Sequence, residues 1–197
     1  MYFPFMLLLV AAAAAAQDLP ALYRVTGVAA DDVLNIRAAP SASAAIRGSF
    51  APDGTGIEVT ARDETGRWGR VNAGESAGWV SMRYLQLMEP GPDVLLSRRL
   101  HCFGTEPFWS LDIEQGRRSA FRTPGAAEQQ YPGTGRLVPA RGRPGRFAIG
   151  LADGAAAVIR REECNDGMSD QAYGLGIGLL MAEEGLTLYS GCCSLQP

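Results

Sequence analysis

The sequence predicts an all-β protein made of two small domains. Residues 33–37, 56–60 and 68–71 alternate apolar and polar side chains, which is the period-two pattern of half-buried strands. Gly and Pro, 24 and 12 of the 197 residues, mark the turns between such runs, as in residues 52–54. No long segment after the first sixteen residues has the apolar period of a helix. Frequent short strands with tight turns are typical of small barrels and sandwiches.

The first sixteen residues are predicted to be a secretory signal peptide. Residues 3–10 form an unbroken apolar run, and six alanines and Gln17 follow it. This pattern matches an export signal that is cleaved after Ala16. A membrane anchor is the alternative, but residues 3–16 provide only fourteen apolar positions, fewer than the roughly 20 that a spanning helix needs. We therefore expect a periplasmic or secreted protein without stable membrane insertion.

Residues 89–96 are predicted to link the two domains. Within them, Glu89-Pro90-Gly91-Pro92-Asp93 places two prolines around a glycine, a segment that can continue neither a strand nor a helix. The linker divides the exported chain into residues 20–88 and residues 97–197, and both have the size of independent small domains.

The composition excludes several classes of site. All 18 basic residues are Arg, so no lysine can form a Schiff base or serve a phosphate-binding loop. His101 is the only histidine, which excludes zinc sites with two or three His ligands. The net charge is −3 and neither domain has an excess of Arg over acidic residues, so we expect no nucleic-acid partner. We also expect no cofactor and no metal.

The four cysteines, Cys102, Cys164, Cys192 and Cys193, all lie in residues 97–197. In an exported protein an even number of cysteines indicates disulfides, and the paired Cys-x-x-Cys spacing of a four-cysteine zinc site is absent. A bond between the neighbours Cys192 and Cys193 is the least expected pairing because it forces a strained ring. If that segment is extended, the two sulfurs point to opposite faces, which leaves both other pairings open.

A series of short motifs runs through residues 20–88. In order, they are Leu34-Asn35-Ile36-Arg37-Ala38-Ala39-Pro40-Ser41, Gly56-Ile57-Glu58-Val59, Gly66-Arg67-Trp68 with Val71, and Gly78-Trp79-Val80 with Tyr84-Leu85. Together they resemble the bacterial SH3 (SH3b) family. The resemblance implies a small barrel of five to seven strands that binds peptides, peptidoglycan or partner proteins and is not itself a catalyst.

Five residues of this region are the candidates for binding: Asn35, Arg37, Trp68, Trp79 and Tyr84. Asn35 and Arg37 alternate with two apolar residues of the same strand and therefore point to its other face. The three aromatic residues are candidates for a cluster that faces the ligand. At least one of the two Trp is expected in the core, because so small a domain has few large apolar residues to bury, and Tyr84 is the better surface candidate.

Three stretches of the second domain resemble an uncharacterised family of exported bacterial β-domains. They are Gly104-Thr105-Glu106-Pro107-Phe108-Trp109, Cys164-Asn165-Asp166-Gly167-Met168-Ser169-Asp170 followed by Tyr173, and Gly191-Cys192. The resemblance implies a one-sheet or barrel-like β architecture and a Cys164–Cys192 disulfide. Cys102 and Cys193 would then form an added second pair. It implies no activity.

Several segments are similar to catalytic or metal-binding patterns but lack residues that those patterns require. His101 is next to Cys102 in the sequence, and neighbours in an extended segment point to opposite faces, so it cannot activate that thiol. The stretch Ser190-Gly191-Cys192 is weakly similar to the catalytic stretch of L,D-transpeptidases, but it lacks the upstream His-Gly and the following Arg. Asp166 belongs to a segment that favours a turn closed by its own side chains over a calcium site.

Two other segments have unusual compositions. Arg136, Arg141, Arg143 and Arg146 follow one another without an acid between them and are interrupted by Gly and Pro, which predicts a loop or hairpin tip. That tip is either solvated or in contact with an anionic surface. Residues 173–179 alternate large apolar residues with glycine, so one face of this strand is bare and can receive an aromatic ring such as that of Trp109, or a ligand.

From these observations we expect a non-enzymatic exported protein that acts at the cell envelope. It would recognise peptidoglycan, a peptide or a partner protein through residues 20–88. The alternatives are a cell-wall-active enzyme whose site lies in residues 97–197, and an inhibitor of lysozyme-type enzymes.

Overall fold

The computed structural model describes residues 18–91, 93–152, 154–182 and 185–197. The predicted cleavage site at Ala16 and Gln17 lies outside these residues. Within them, nearly all regular structure is strand, as the sequence predicts. No helix in this part of the chain is long and apolar enough to cross a membrane.

The strands are numbered in chain order. They are β1 (Ala21–Val25), β2 (Leu34–Arg37), β3 (Ile46–Phe50), β4 (Ile57–Val59), β5 (Ala61–Arg62), β6 (Trp68–Ala73), β7 (Ser76–Ser81), β8 (Leu85–Leu87), β9 (Arg99–Thr105), β10 (Phe108–Glu114), β11 (Arg118–Arg122), β12 (Gln129–Tyr131), β13 (Val138–Pro139), β14 (Arg146–Gly150), β15 (Ala156–Cys164), β16 (Tyr173–Met181) and β17 (Thr187–Gln196). A 3₁₀ turn, Met82–Tyr84, joins β7 to β8.

Strands β1 to β8 form a small barrel from two sheets. The strand orders are β4-β1-β8 and β3-β2-β7-β6-β5, with antiparallel neighbours throughout. The period-two pattern of the sequence determines the core, since Leu34 and Ile36 of β2 point inward while their neighbours point out. Gly78 on β7 is required here, because a Cβ atom at this position would lie 2.5 Å from the Ile36 side chain.

Strands β9 to β17 form one open, curved sheet. The strand order is β12-β11-β10-β9-β17-β16-β15-β14-β13, so the edges are the short strands β12 and β13. The inward residues of all nine strands except β13 contribute to a single apolar core, in which Leu111, Ile159, Leu175, Ile177 and Leu179 are fully buried. This arrangement is the predicted second β-domain, in the form of a half-barrel.

A loop, rather than strand pairing, bridges the open side of this sheet. Gly135 N–H donates to the carbonyl of Gly150 at the end of β14, over 2.9 Å. The carbonyl of Gly135 accepts from Gly116 N–H in the β10–β11 turn, over 2.8 Å. One segment therefore connects the two halves of the sheet that the strands leave apart.

Two disulfides connect the strands at the centre of this sheet. Cys102 and Cys193 are bonded where the first strand of the domain, β9, pairs with the last, β17. Cys164 at the end of β15 is bonded to Cys192. This is the pairing that the family resemblance implies. Cys193 is part of the inner core and Cys192 lies on the outer side, because neighbouring residues of a strand point to opposite faces.

The barrel and the half-barrel share a hydrogen-bonded interface. The loop between β15 and β16 lies along the β6–β7 hairpin, where Ala77 N–H donates to the carbonyl of Asp170 and Asp170 N–H donates to that of Glu75, over 2.9 and 3.0 Å. The side-chain amide of Asn72 bonds the backbone of Ala172 twice, accepting from its N–H at 2.9 Å and donating to its carbonyl at 3.2 Å. The loop is thereby attached to the barrel through one parallel β-bridge, between Ser76 and Asp170.

The other side of the interface involves β1 and β4 of the barrel. Leu22 of β1 is buried among the core residues of the half-barrel. The Glu58 carboxylate of β4 accepts a hydrogen bond of 3.1 Å from the backbone N–H of Leu195 on β17. Part of the predicted linker is also packed, since Val94 is buried and the carbonyl of Leu95 accepts from the Gln115 side chain.

Candidate functional site

A groove of about 570 Å³ lies on the outer surface of the barrel, between the β1–β2 loop and the 3₁₀ turn. It contains four of the five residues predicted to bind: Asn35, Arg37, Trp68 and Tyr84. We call it the barrel groove. Its volume is within the range of about 300–1,000 Å³ that small-ligand sites have.

The strands determine which side chains enter the groove. Asn35 and Arg37 project from β2 on the side away from the core. Trp68 begins β6, and its backbone N–H donates to the Asp63 carboxylate over 2.8 Å. The hydrogen bond from the Thr65 hydroxyl is the largest influence on the pKa of Asp63 and lowers it. Burial raises the pKa, but the bond from Trp68 N–H adds to that from Thr65, and the pKa stays below its usual value. The ionised Asp63 therefore fixes the turn that presents Trp68.

The 3₁₀ turn supplies the opposite wall of the groove. The carbonyl of Tyr84 accepts from Thr26 N–H over 2.9 Å, which connects this turn to the β1–β2 loop. The Arg83 guanidinium lies over the Tyr84 ring, 4.8 Å from its centroid. Sequence analysis missed Arg83, because nothing in its neighbourhood marks it except the aromatic residue that follows.

Charge in the groove is mainly positive. Arg37 and Arg83 line it together with one acid, Asp32. The carboxylate of Asp32 accepts a hydrogen bond of 2.7 Å from the backbone N–H of the next residue, Val33. Arg37 donates to the carbonyl of Ala44 over 2.9 Å, and no acidic side chain of the described residues pairs with either arginine. Both guanidinium groups therefore have donors to offer to an anionic ligand.

The prediction that a Trp belongs to the barrel core is wrong. Trp68 and Trp79 are both half-buried, and the core contains Tyr23 in place of either. Glycine and valine occupy the inward positions of β6 and β7, so the two indoles project outward. Trp79 lies beside Arg37 on the same sheet but outside the groove.

Residues 32–86 match the family described as the bacterial SH3 domain. This part of the chain is a bacterial SH3 domain. The match includes every predicted binding residue, and β1 precedes it while completing the same barrel. The family is often involved in cell-wall or peptidoglycan binding. No curated protein and no solved structure matches the chain.

A second cleft, of about 730 Å³, lies on the outer side of the half-barrel and is lined only by residues of that domain. It brings together parts of the three stretches on which the C-terminal resemblance rests, namely residues 104–106 with 108, 164–168 and 191–192. Phe108 and Met168 are exposed at its rim, with 53% and 68% of their surface accessible. The three stretches are distant in sequence, and only the strand order of the sheet makes them neighbours.

Two glycines of the strands that line this cleft leave room for close packing of their neighbours. A Cβ atom on Gly104 would overlap the indole nitrogen of Trp109, and one on Gly191 would overlap the carbonyl of Phe103. Close approach of ring and backbone is the reason that these positions require glycine.

The turn beside the cleft has the predicted structure. Asn165 Oδ1 accepts the N–H of Gly167 over 2.6 Å, and Asp166 Oδ1 accepts those of Met168 and Ser169 over 2.9 and 2.8 Å. Burial raises the pKa of Asp166, but these hydrogen bonds outweigh it and the pKa is lower than usual. The carboxylate is thus ionised and used within its own turn.

The face of β16 that carries the glycines is covered by residues other than the predicted Trp109. Trp109 lies over Gly104 and not over this strand. Pro20 packs against Gly174, and the side chain of Glu162, paired with Arg160 over 2.8 Å, lies over Gly176. The large residues of the other face are buried in the core, as expected.

His101 lies on the outer face of the half-barrel, turned away from Cys102. Its Nδ1 is 2.6 Å from Oδ1 of Asp112, and the other carboxylate oxygen, Oδ2, accepts from Arg122 over 2.5 Å. Burial raises the pKa of Asp112, but the bonds from His101 and Arg122 outweigh it and hold the pKa below the usual value. All four cysteines are in disulfides, so none is a thiol nucleophile. The described residues contain no group of three or more His, Cys, Asp or Glu placed to hold a metal ion.

Proposed function

We propose that the protein is a non-enzymatic binding protein of the bacterial envelope, and that its SH3 domain binds a short peptide with a free carboxylate, such as the stem peptide of peptidoglycan. The observation that carries this proposal is the barrel groove, in which Trp68 and Tyr84 lie beside Arg37 and Arg83. Family membership supports the same class of ligand.

The chemistry of the groove favours such a peptide. Aromatic side chains provide flat apolar surface at low entropic cost, which suits an extended backbone. Arg83 is pre-oriented by its stacking on Tyr84, and a guanidinium binds carboxylate with two parallel hydrogen bonds. Asn35 adds a donor and an acceptor for the peptide backbone.

A location outside the cytoplasm is part of the proposal. The apolar leader supports export, and two disulfides suit an oxidising compartment. We propose that the half-barrel serves as the platform that holds the SH3 domain, since the β15–β16 loop is bonded to the β6–β7 hairpin. The periplasm, or the medium after secretion, is the compartment where the stem peptide is accessible.

Binding to purified peptidoglycan tests this function. The protein should sediment with insoluble peptidoglycan, and soluble stem peptide should compete. Trp68→Ala should weaken binding about tenfold or more, since an aromatic anchor contributes about 1.5–3 kcal/mol. Arg83→Gln should weaken binding of the peptide carboxylate by a similar factor.

Trp79→Ala is the matched control, because Trp79 is a half-buried indole of the same sheet outside the groove. It should bind as the unmodified protein does. Equal loss in both Trp variants, or no sedimentation at all, would contradict the proposal. Release of soluble fragments from peptidoglycan would show a wall-active enzyme instead.

A further inference from the structure

Part of the outer face of strands β13 to β17 is apolar. Antiparallel sheets normally expose polar side chains on the side away from the core. Here the strand register places uncharged residues side by side in two adjacent rows that cross the sheet. We call this surface the apolar face; its side chains are Val138, Ala148, Ala156, Val158, Leu180 and Leu188.

This face is open to solvent. Val138, Val158 and Leu188 are 57%, 40% and 65% exposed, although each lies within a strand. Leu186, just before β17, is 78% exposed. A contiguous exposed apolar surface of this kind usually marks an interaction site.

Arginines border the apolar face on one side. Arg146 and Arg160 are directly opposite each other on β14 and β15, in the row next to Val158. Arg141 and Arg143 are exposed in the turn between β13 and β14. We call these four residues the arginine rim.

The charges of the rim are largely unbalanced. Arg160 is paired with Glu162, but among the described residues no acidic side chain pairs with Arg141, Arg143 or Arg146. Like charges directly opposite each other destabilise a sheet. Glu162 offsets this repulsion at Arg160, and an anion bound at the rim would offset it at Arg146.

A partner for this surface must offer apolar and anionic groups side by side. A second copy of the chain, placed face to face, would offer few free acidic groups to the rim. On strands β13 to β16 the acidic side chains of the described residues are Glu162 and Glu163, and they are paired with Arg160 and Arg70. Wall polymers are anionic but hydrophilic. The surface of an anionic lipid bilayer combines phosphate groups with an accessible acyl boundary.

We propose that the apolar face and the arginine rim dock the protein peripherally on an anionic lipid bilayer. The rim binds headgroup phosphates through the guanidinium groups, and Val138, Val158 and Leu188 enter the boundary between headgroups and acyl chains. The described residues contain no helix that could span the bilayer, and the protein is released as ionic strength rises.

Cosedimentation with vesicles tests the docking. Vesicles of phosphatidylglycerol mixed with phosphatidylcholine should bind the protein, and vesicles of phosphatidylcholine alone should not. The experiment uses the protein both with residues 1–16 and without them, so that vesicle binding by the apolar leader can be distinguished from binding by the folded surface. The triple substitution of Arg141, Arg143 and Arg146 by Gln should lower the partition constant roughly a hundredfold, because each basic residue contributes about a factor of five.

Matched variants distinguish the effect of this surface from a general effect of net charge and from a loss of folding. Substituting Arg24, Arg67 and Arg117 by Gln removes the same charge at exposed positions elsewhere and should have little effect on partitioning. Leu188→Ser should lower the partition constant on the phosphatidylglycerol-containing vesicles at low ionic strength, whereas Ile46→Ser, at an exposed position of the SH3 domain, should not. Thermal unfolding of each variant verifies that it is folded.

Three results would overturn the docking. The first is equal loss of vesicle binding in the two triple-arginine variants. The second is a dimer in light scattering that Leu188→Ser dissociates, which would assign the face to a second copy. The third is retention of the protein by an anionic wall polymer, through the rim, with no binding to anionic vesicles.

Discussion

Glu58 has its carboxyl group in the interface between the SH3 domain and the half-barrel. Burial raises its pKa from 4.5 to about 7, and the hydrogen bond from Leu195 N–H offsets only part of that effect. In the unfolded chain the same group loses its proton near pH 4.5. Between these two pH values the folded state holds more protons than the unfolded state, so the free energy of unfolding falls as the pH rises.

Glu58→Gln should therefore stabilise the protein at pH 8 and change little at pH 4.5. The amide keeps an oxygen for Leu195 N–H and removes the buried charge, and the gain at pH 8 should be up to about 3 kcal/mol. Urea unfolding at the two pH values measures it. Glu64→Gln, at an exposed position, is the control and should leave the pH dependence unchanged. An equal effect of Glu58→Gln at both pH values would show that the charge of Glu58 is not responsible.

The two disulfides connect elements at very different separations along the chain. Cys102 and Cys193 close a loop of 91 residues and hold β9 beside β17, whereas Cys164 and Cys192 close one of 28. In the chain-entropy description, the longer loop stabilises the fold by about 4.6 kcal/mol and the shorter by about 3.6 kcal/mol.

Replacing both members of each pair by Ala tests this order. Loss of the Cys102–Cys193 bond should lower the free energy of unfolding more than loss of the Cys164–Cys192 bond, by about 1 kcal/mol. Denaturant unfolding of the two double variants gives the values, and non-reducing peptide mapping verifies the bond that remains. The reverse order would mean that strain or residual structure dominates over loop closure.

The strands themselves were predictable where one face is buried. The alternation in Leu34-Asn35-Ile36-Arg37 indicates both the strand and the outward direction of two groove residues. The position of Arg83 was not predictable, because it depends on a 3₁₀ turn that places its guanidinium over Tyr84. The apolar face escaped notice for a similar reason: Val138, Val158 and Leu188 meet only through a strand register that no local pattern encodes.

At the scale of the whole molecule, Leu22 connects the two domains. It belongs to the first strand of the barrel, yet its side chain is buried in the core of the half-barrel. The sequence suggests two separate units on either side of a proline-rich linker, and it contains no signal for this contact because Leu22 looks like any other apolar residue of a strand. The core of the half-barrel thus includes a side chain from the other side of the domain boundary that the sequence predicts.

Leu22→Ala should lower the free energy of unfolding by about 3 kcal/mol, as for other buried leucines. Hydrogen exchange should report the loss of protection in β17 as well as in β1. Val25→Ala is the control, since Val25 is equally buried but belongs to the barrel core, and its effect should stay within the SH3 domain. Protection of β17 that is unchanged by Leu22→Ala would mean that the two domains are energetically independent.

The open half-barrel ends in two very short strands, β12 with three residues and β13 with two. An open sheet ordinarily presents rows of unpaired amides that act as a template for strands from other molecules. Here Pro139 removes a donor from one edge, and three residues at the other edge are too few to recruit a partner in register. Without closing into a full barrel, the protein thereby avoids the edge-to-edge aggregation to which a nine-stranded sheet would otherwise be prone.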